Sequence, residues 1–232
     1  HSTSEDPTQN QSENSRTISW NITDANSDGA GAATSSDVTS TINLTPTSDQ
    51  PTITAGGTAA YTENDAATVI DNTIIISDID DTELTAATIS ISNFITDDIL
   101  SFTDIYGITG SYDNSSGILT LSGTATIANY QTALRTVTYH STSEDPTQNQ
   151  SETSRTISWN VPDANSDGAG AATSSDVAST INLTPTSDQP IVTASGTLDY
   201  TENSNEAFIN SYIEISDNDD SQLNEAIITI IN

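Results

Sequence analysis

Aspartate, asparagine and glycine recur twice in one order: Asp163-Ala-Asn165-Ser-Asp167-Gly168 and, upstream, Asp24-Ala-Asn26-Ser-Asp28-Gly29. Side-chain oxygens at the first, third and fifth positions alternate toward one centre, and a glycine at the sixth permits a sharp turn around an ion. That is the front half of a calcium loop. The bidentate glutamate of a helix-loop-helix site is absent from position twelve, and Asp176 (Asp37 upstream) at position fourteen could substitute. The plainer alternative is a polar hairpin loop, since the same residues are ordinary turn formers. A second cluster, Asp78-Ile-Asp80-Asp81, follows the apolar run Ile74-Ile-Ile76 and returns as Asp217-Asn-Asp219-Asp220. Three carboxylates within four residues repel one another unless a cation sits among them. Glu63 in Tyr61-Thr-Glu-Asn64, its counterpart Glu202, and the linker acids Asp49 and Asp188 complete the candidate ligands. Taken singly, each of these four reads as a plain surface acid.

Charge makes a hard divalent cation, Ca2+, the fitting counterion. The 232 residues include 33 acids against 3 basic residues, all arginine, for a formal net charge of −30. Nucleic acid is excluded as a partner, because phosphate binding needs clustered Lys and Arg. An anionic membrane surface repels such a chain, and no apolar run approaches the ~20 residues of a spanning helix. The first residues do not resemble a signal peptide. Without cysteine there are no disulfides, and without lysine no lysine–asparagine isopeptide bond. Only 33% of residues are hydrophobic, which at this charge would suggest disorder. Regular spacing of β-branched residues and clustering of the acids argue instead for a fold that is ordered when calcium is bound.

Internal repetition sets the organisation. His1-Ser-Thr-Ser-Glu-Asp-Pro-Thr-Gln-Asn-Gln11 returns at His140, an offset of 139, and residues 1–64 differ from 140–203 at nine positions. The segment Thr45-Pro-Thr-Ser-Asp-Gln-Pro51, repeated as Thr184 to Pro190, has prolines bracketing an acidic stretch and reads as a short stiff linker. On that phasing, residues 1–49 are the C-terminal part of a preceding repeat. Residues 50–188 are one complete repeat, and 189–232 are the N-terminal part of the next, in an array expected to continue at both ends.

Between linkers the pattern has period two: Ala87, Ile89 and Ile91 alternate with Thr88, Ser90 and Ser92, and Ile157, Trp159 and Val161 alternate with Thr156, Ser158 and Asn160. Short alternating runs separated by Gly, Asn, Asp and Ser predict an all-β fold of tandem Greek-key antiparallel β-sandwiches. Nine runs are expected, starting near 52, 68, 86, 99, 108, 117, 136, 155 and 177, with a hairpin turn at Tyr112–Gly117. Tyr130 and Leu134, four apart in Ala128–Arg135, predict one short helix across an end of the sandwich. Head-to-tail modules need an odd number of crossings. Nine then places the 78–81 loop, the 163–176 loop and the Asp49 linker at one end, where Asp49, Asp78, Asp80, Asp81, Asp163, Asn165 and Asp167 would converge.

The proline-rimmed acidic linker, the Tyr-x-Glu-Asn near the module start and the Asp-x-Asp-Asp about thirty residues past the linker resemble cadherin repeats. The stretch Gly117-Ile-Leu-Thr-Leu-Ser-Gly-Thr-Ala-Thr-Ile-Ala-Asn-Tyr-Gln-Thr-Ala-Leu-Arg-Thr-Val-Thr-Tyr139 more closely resembles the cadherin-like repeats of giant bacterial surface adhesins and RTX-type exoproteins. The resemblance covers the complete module and both partial ones. It implies extracellular, non-catalytic extender modules exported by type I secretion and stiffened by calcium at junctions between neighbouring repeats of the same chain. The full cadherin linker motif is absent, only Ser48-Asp49-Gln50 standing in its place, which implies fewer ions per junction.

Other chemistries fare worse. His1 and His140 occupy equivalent repeat positions with no nucleophile in order, so no enzyme is expected. Asp97 and Asp98, adjacent in a strand, would point to opposite faces. Trp20 and Trp159 read as core anchors, and Arg135 and Arg155 are expected to pair with local carboxylates. The alternative function is assembly with other copies into an extracellular filament or layer through edge strands that lack lysine.

Overall fold

In the computed structural model, residues 3–9 and 12–231 are described; His1 lies outside them. The chain forms fifteen strands and one helix among those residues. The hairpin β1 (Ser15–Trp20) and β2 (Val38–Asn43) comes first. Then follow β3 (Thr52–Thr54), β4 (Thr58–Thr62), β5 (Thr68–Val69), β6 (Ile75–Ser77), β7 (Glu83–Ile91), β8 (Asp98–Ser101), β9 (Thr109–Asp113) and β10 (Ile118–Thr126). Helix α1 (Ile127–Leu134) leads to β11 (Thr138–Ser141), β12 (Ser154–Asn160) and β13 (Val177–Thr184), and the short pair β14 (Ile191–Thr193) and β15 (Glu214–Ser216) closes the series.

One face of the sandwich is a six-stranded sheet in the order β4-β13-β12-β7-β10-β9, and the other is made of β5-β11-β8 and the pair β3-β6. Alternation does the sorting. In β7, Leu84, Ala87, Ile89 and Ile91 are buried, and in β12 Ile157 and Trp159 face the same core. Among the described residues, the buried hydrophobic cluster runs from Ile53 to Leu183. Tyr61 and Tyr139 meet edge to face at 5.2 Å across the two layers. The fold is therefore an all-β sandwich with one short helix.

Two expectations are corrected. The sheet is not wholly antiparallel: β4 runs parallel to β13, Tyr61 opposite Leu183. The first two of the nine runs are each broken, the first into β3 and β4, which join different sheets, and the second into β5 and β6. The break after β3 is fixed by Asp71, whose carboxylate accepts from Gly56 N (3.1 Å) and Gly57 N (2.7 Å). A Cβ at Gly57 would lie 2.5 Å from the Asp71 carboxyl carbon, so only glycine fits there. With these breaks, the nine expected runs become the eleven strands β3 to β13.

Helix α1 begins at Thr126, whose hydroxyl accepts from Asn129 N. It buries Tyr130, Ala133 and Leu134 and turns two side chains one helical turn apart onto the chain at β6. Gln131 Oε1 accepts from Ile76 N at 3.0 Å, and Arg135 Nε donates to Ile74 O at 2.8 Å. Arg135 thus caps a backbone edge rather than pairing with a carboxylate. Arg155 does pair, its Nε 2.6 Å from Asp98 Oδ2 with both side chains fully buried. Tyr139 donates to the other Asp98 oxygen at 2.5 Å. At the sheet edge, β9 carries no charge before Asp113, and its Gly110 N–H is already taken by Asp104 Oδ1 at 3.0 Å.

Asp71 also accepts from Thr73 N and Oγ1 (2.8 and 2.6 Å) and from Ser179 Oγ (2.7 Å), which in turn accepts from Trp159 Nε1 (3.0 Å). Burial opposes ionisation of Asp71, but these donors outweigh it and hold the carboxyl well below the usual range. A folded-state value below the unfolded one stabilises the fold above about pH 4, and that stability is lost as pH falls. Asp71→Asn should cost about 2–3 kcal/mol at neutral pH, with the gap to the parent narrowing in denaturant titrations below about pH 4.

Candidate metal centre

Three segments distant in sequence meet at the end of the sandwich where the Asp49 linker arrives. The loop after β6 is shaped by Asp78, whose Oδ1 accepts from Asp80 N (3.1 Å) and Asp81 N (2.9 Å), turning the chain at once toward β7. The linker docks on this turn through Asp49 N, 2.8 Å from Asp80 Oδ2. The loop after β12 arrives from the far half of the module, fixed by the bridge Leu84–Asp163 and by Ala164 N donating to Glu83 O at 3.1 Å. Both the backbone N–H and the hydroxyl of Ser166 then donate to Asp81 Oδ1.

The result is a set of buried, half-satisfied carboxylates. Asp80, Asp81, Asp163 and Asp167 are buried, and Asp78 is partly so. Each of Asp78, Asp80, Asp81 and Asp167 has one oxygen occupied by donors. The other oxygen (Asp78 Oδ2, Asp80 Oδ1, Asp81 Oδ2, Asp167 Oδ2) is buried without a hydrogen-bond partner, as is Ser48 Oγ in the linker. Carboxylates accept and do not donate, so they cannot satisfy one another while ionised. Burial, then the neighbouring Asp78, pushes Asp80 up to about 6. Burial likewise raises Asp163 and Asp167, with Asp81 and Asp80 adding repulsion.

The expected converging set is placed unequally. Asp49, Asp78, Asp80, Asp81, Asp163 and Asp167 come together. Asn165 does not: it adopts a left-handed conformation (φ 53°), is exposed, and turns its Oδ1 back onto Gly170 N at 2.7 Å. The three-oxygen alternation expected of the loop therefore fails at its middle position. Asp163 spends its two oxygens on Asn165 N (3.0 Å) and Ala172 N (2.6 Å). Asp176 is exposed and accepts from Asn160 Nδ2 at 3.0 Å, away from the cluster.

The upstream loop separates what is local from what is not. Asn26 N donates to Asp24 Oδ1, Ala30 N to Asp28 Oδ1 and Gly31 N to Asn26 Oδ1, at 3.0, 3.0 and 2.6 Å, as their counterparts do downstream, where Ala172 N adds a bond to Asp163 Oδ2. Asp37 pairs with Asn21 as Asp176 does with Asn160. Yet Asp24, Asn26, Asp28 and Asp37 are all exposed, because the Asp-x-Asp-Asp segment that would cover them is not packed there. The loop's shape is local; its burial is borrowed from the front half of a module.

At the opposite end of the module, Glu63 Oε2 accepts from Thr186 N at 2.8 Å, while Oε1 is buried without a partner. Glu63, Glu144 and Asp188 bring carboxylate oxygens within 4.8 Å of one another. Burial raises the Glu63 carboxyl, and Asp188 and Glu144 add to the effect. Asp188 N donates to Asp219 Oδ2 at 3.1 Å, repeating the Asp49–Asp80 contact one repeat later. Asp217, Asp219 and Asp220 form the matching cluster, and Asp219 Oδ1 is again unpartnered. Glu202, the counterpart of Glu63, is exposed.

Sequence reasoning missed Glu144 and its counterpart Glu5, which faces the first junction beside Asp49, Asp78 and Ile79. Both sit in an undecapeptide repeated without change, but nothing in their local spacing marks them off from Asp145 or Asp6. Their role follows from a loop held elsewhere: Arg155 Nη2 grips Pro146 O at 2.8 Å, two residues from Glu144. Arg16 grips Pro7 O in the same way.

No protein-family model matches the sequence. Over 108 residues the chain is 32% identical to Halomucin of Haloquadratum walsbyi (strain DSM 16790 / HBSQ001), a stretch covering 44% of this chain and 1% of that protein. The chain thus spans about a hundredth of that relative's length. Among solved structures it is similar to the extracellular cadherin domains 3–6 of protocadherin gamma B2, at 12% identity and a TM-score of 0.34, over 78% of this chain and 35% of that one. The sandwich assignment rests on the sheets themselves. Among the described residues, no helix is long and apolar enough to cross a membrane.

In chelator, Asp80 is a repelled buried acid. Its folded value lies above its unfolded one, so its ionisation removes stability as pH rises from about 4 to 6. Asp80→Asn should therefore stabilise the metal-free protein at neutral pH by about 1 kcal/mol, raising Tm by about 2–4 °C. The gain should vanish below about pH 4 in thermal melts run across that range.

Proposed function

We propose that the chain is a run of calcium-stiffened, non-catalytic extender repeats from a large secreted or cell-surface protein of the bacterial adhesin type, with residues 50–188 as one complete module. One observation carries this reading. Among the described residues, every buried side-chain oxygen without a donor lies at one of the two linkers: Ser48, Asp78, Asp80, Asp81 and Asp167 at the first, Glu63 and Asp219 at the second. Clustered carboxylate oxygens with no donor are what a hard cation requires. A chain with no lysine has no ammonium to offer instead.

The first centre would be held by Asp49, Asp78, Asp80, Asp81 and Asp167, with Glu5 reaching in from the preceding repeat. The second would take Glu63, Glu144 and Asp188 from one side and Asp217, Asp219 and Asp220 from the other. Many carboxylates on flexible loops suit Ca2+, which accepts six to eight oxygens, better than Mg2+, which demands a strict octahedron. A cation shared between a module body, a linker and the next module binds the aligned arrangement better than the bent one, and so shifts the population toward a straight rod. The likeness to a small stretch of a very long protein is in keeping with a repeated spacer.

Calorimetric titration of the metal-free chain with Ca2+ should show binding that Asp80→Asn or Asp219→Asn weakens. Calcium at a hundredfold excess over Kd should add about 2.7 kcal/mol, or about 5–10 °C in Tm. Small-angle scattering should show the longest dimension grow on adding calcium. Melting and scattering curves that superimpose with and without chelator would falsify the reading.

A further inference from the structure

Strands at the margin of a sheet present backbone N–H and C=O groups to solvent, and proteins close or guard them. Among the described residues, the complete module leaves one of its longer margins open. At β9, Gly110 N is held by Asp104 Oδ1. At β8 the Tyr112 hydroxyl donates to Asp98 O at 2.6 Å, and at β6 Gln131 and Arg135 occupy Ile76 N and Ile74 O. The margins at β3 and β5 are three and two residues long. The exception is β4, five residues at the end of the six-stranded sheet, with β13 on one side and no strand on the other.

The ladder decides which backbone groups of β4 are free. Successive residues of a strand face opposite neighbours, so alternate residues carry the bonds to β13. Gly57 O accepts from Thr180 N and Glu63 N donates to Thr184 O, both at 3.0 Å, which puts those bonds on the odd-numbered residues. The N–H and C=O of Thr58 and Ala60 therefore point away from the sheet. Clefts of about 300 and 280 Å³ lie between this margin and residues 65–73, leaving it open on that side. None of the usual guards is present. Residues 51–62 contain no charged side chain in a chain of net charge −30, and Thr58-Ala-Ala-Tyr-Thr62 has no proline, lysine or register shift. The following repeat differs here: Leu198-Asp199 stand where this module has Ala59-Ala60. One repeat of the array thus carries a carboxylate at the position that guards the margin, and its neighbour carries a methyl group.

We infer that β4 pairs with β4 of a second copy of this chain, antiparallel about a two-fold axis at Ala60, joining two six-stranded sheets edge to edge. Ala60 N–H and C=O exchange bonds with the partner's Ala60, and Thr58 pairs with the partner's Thr62. The axis sets alanine against alanine, so no bulky or charged side chain stands between the strands. Charge selects a second copy as the occupant. Two chains at −30 repel wherever their acids approach, and β4 is an uncharged, self-complementary margin that each can offer the other. The contact is short, so a single pair is weak and its population follows concentration. The inference rests on the sheet of the complete module; it goes beyond the calcium reading and does not depend on it.

Sedimentation velocity of the full chain, run with calcium and separately with chelator, should show monomer giving way to dimer as concentration rises, and nothing larger. Ala60→Asp, which copies the following repeat, sets two carboxylates directly opposite across the axis and should weaken the dimer severalfold. Its Tm should be unchanged, because position 60 is exposed in the monomer. The chain has no cysteine, so an introduced thiol reports alone. On oxidation, Ala60→Cys should form disulfide-linked dimer severalfold faster than Thr120→Cys, an exposed position on β10 of the same sheet. Monomer alone in both buffers up to about 1 mM overturns the pairing. So do species larger than the dimer, a dimer that Ala60→Asp leaves intact, or equal cross-linking at positions 60 and 120. These readouts follow mass and a covalent link between chains, so their failure leaves the calcium titration to be judged separately.

Discussion

Buried carboxylates in this chain meet two different fates, and the architecture follows from the difference. Within the module body they are saturated. Asp71 takes five donors, and Asp98 takes a guanidinium, a phenol and the backbone N–H of Ile95. At the two ends they are left half-satisfied: one oxygen of Asp78, Asp80, Asp81, Asp167, Glu63 or Asp219 is held by donors, the other by none. An unsatisfied buried acceptor, and still more a buried charge, is costly. A fold that can saturate Asp71 with main-chain and hydroxyl donors does not lack the means to do so. The deficit is concentrated where two modules and a linker meet, the place where something outside the polypeptide can make it up.

The rest of the molecule serves to bring those acids together and hold them there. Helix α1 holds the chain at β6 through Gln131 and Arg135, so the Asp78 turn leaves from a fixed point. The pairing of β12 with β7 brings the Asp163–Asp167 loop over that turn, and Ser166 closes it onto Asp81. At the other end, parallel pairing of β4 with β13 sets Glu63 beside the outgoing linker. Arg155 performs two tasks at once, neutralising Asp98 in the core and fastening the loop that carries Glu144. Removing one partner of such a buried pair costs more than the pair is worth, because the other charge remains.

Much of this was legible in the sequence, for physical reasons that differ by element. Period-two alternation gave the strands of both sheets because each has one wet and one dry face, and the four-residue spacing of Tyr130 and Leu134 marked the helix to within one residue. The split of β3 from β4 was hidden, since it depends on Asp71 reaching a glycine fifteen residues away. Parallel pairing of β4 and β13 was likewise invisible, because alternation fixes a face and not a direction. Asn165 was misread for a local reason. Counting alternate oxygens assumes an extended chain, and a left-handed residue at that position turns the side chain back on its own loop. Glu144 was missed for the opposite reason: its position is set by Arg155 and Asp98, far from it in sequence. Arg135 was expected to find a carboxylate and instead found a carbonyl, because an unpaired edge lay nearer than any acid.

The two copies of the Asp-x-Asn-x-Asp-Gly loop show why the junction and the fold are one problem. The two copies share three internal hydrogen bonds, yet only the one lying against a complete front half is buried, and there Ala172 N also donates to Asp163 Oδ2. The acids that meet at the first junction come from the linker, from the turn before β7 and from the loop after β12, the last two separated by most of the module. The loop after β12 reaches the other two only once the sheet has closed by long-range pairing of β12 with β7. Asp217, Asp219 and Asp220 cluster without that pairing, but the full set at the first junction forms only in the closed module. A cation selective for that full set would bind the finished sandwich alone, so its binding energy would add to the stability of the fold as well as to the alignment of its neighbours. Such coupling would let a chain this acidic and this poor in apolar residues sustain a packed core, because the repulsion that opposes folding is focused at the two junctions.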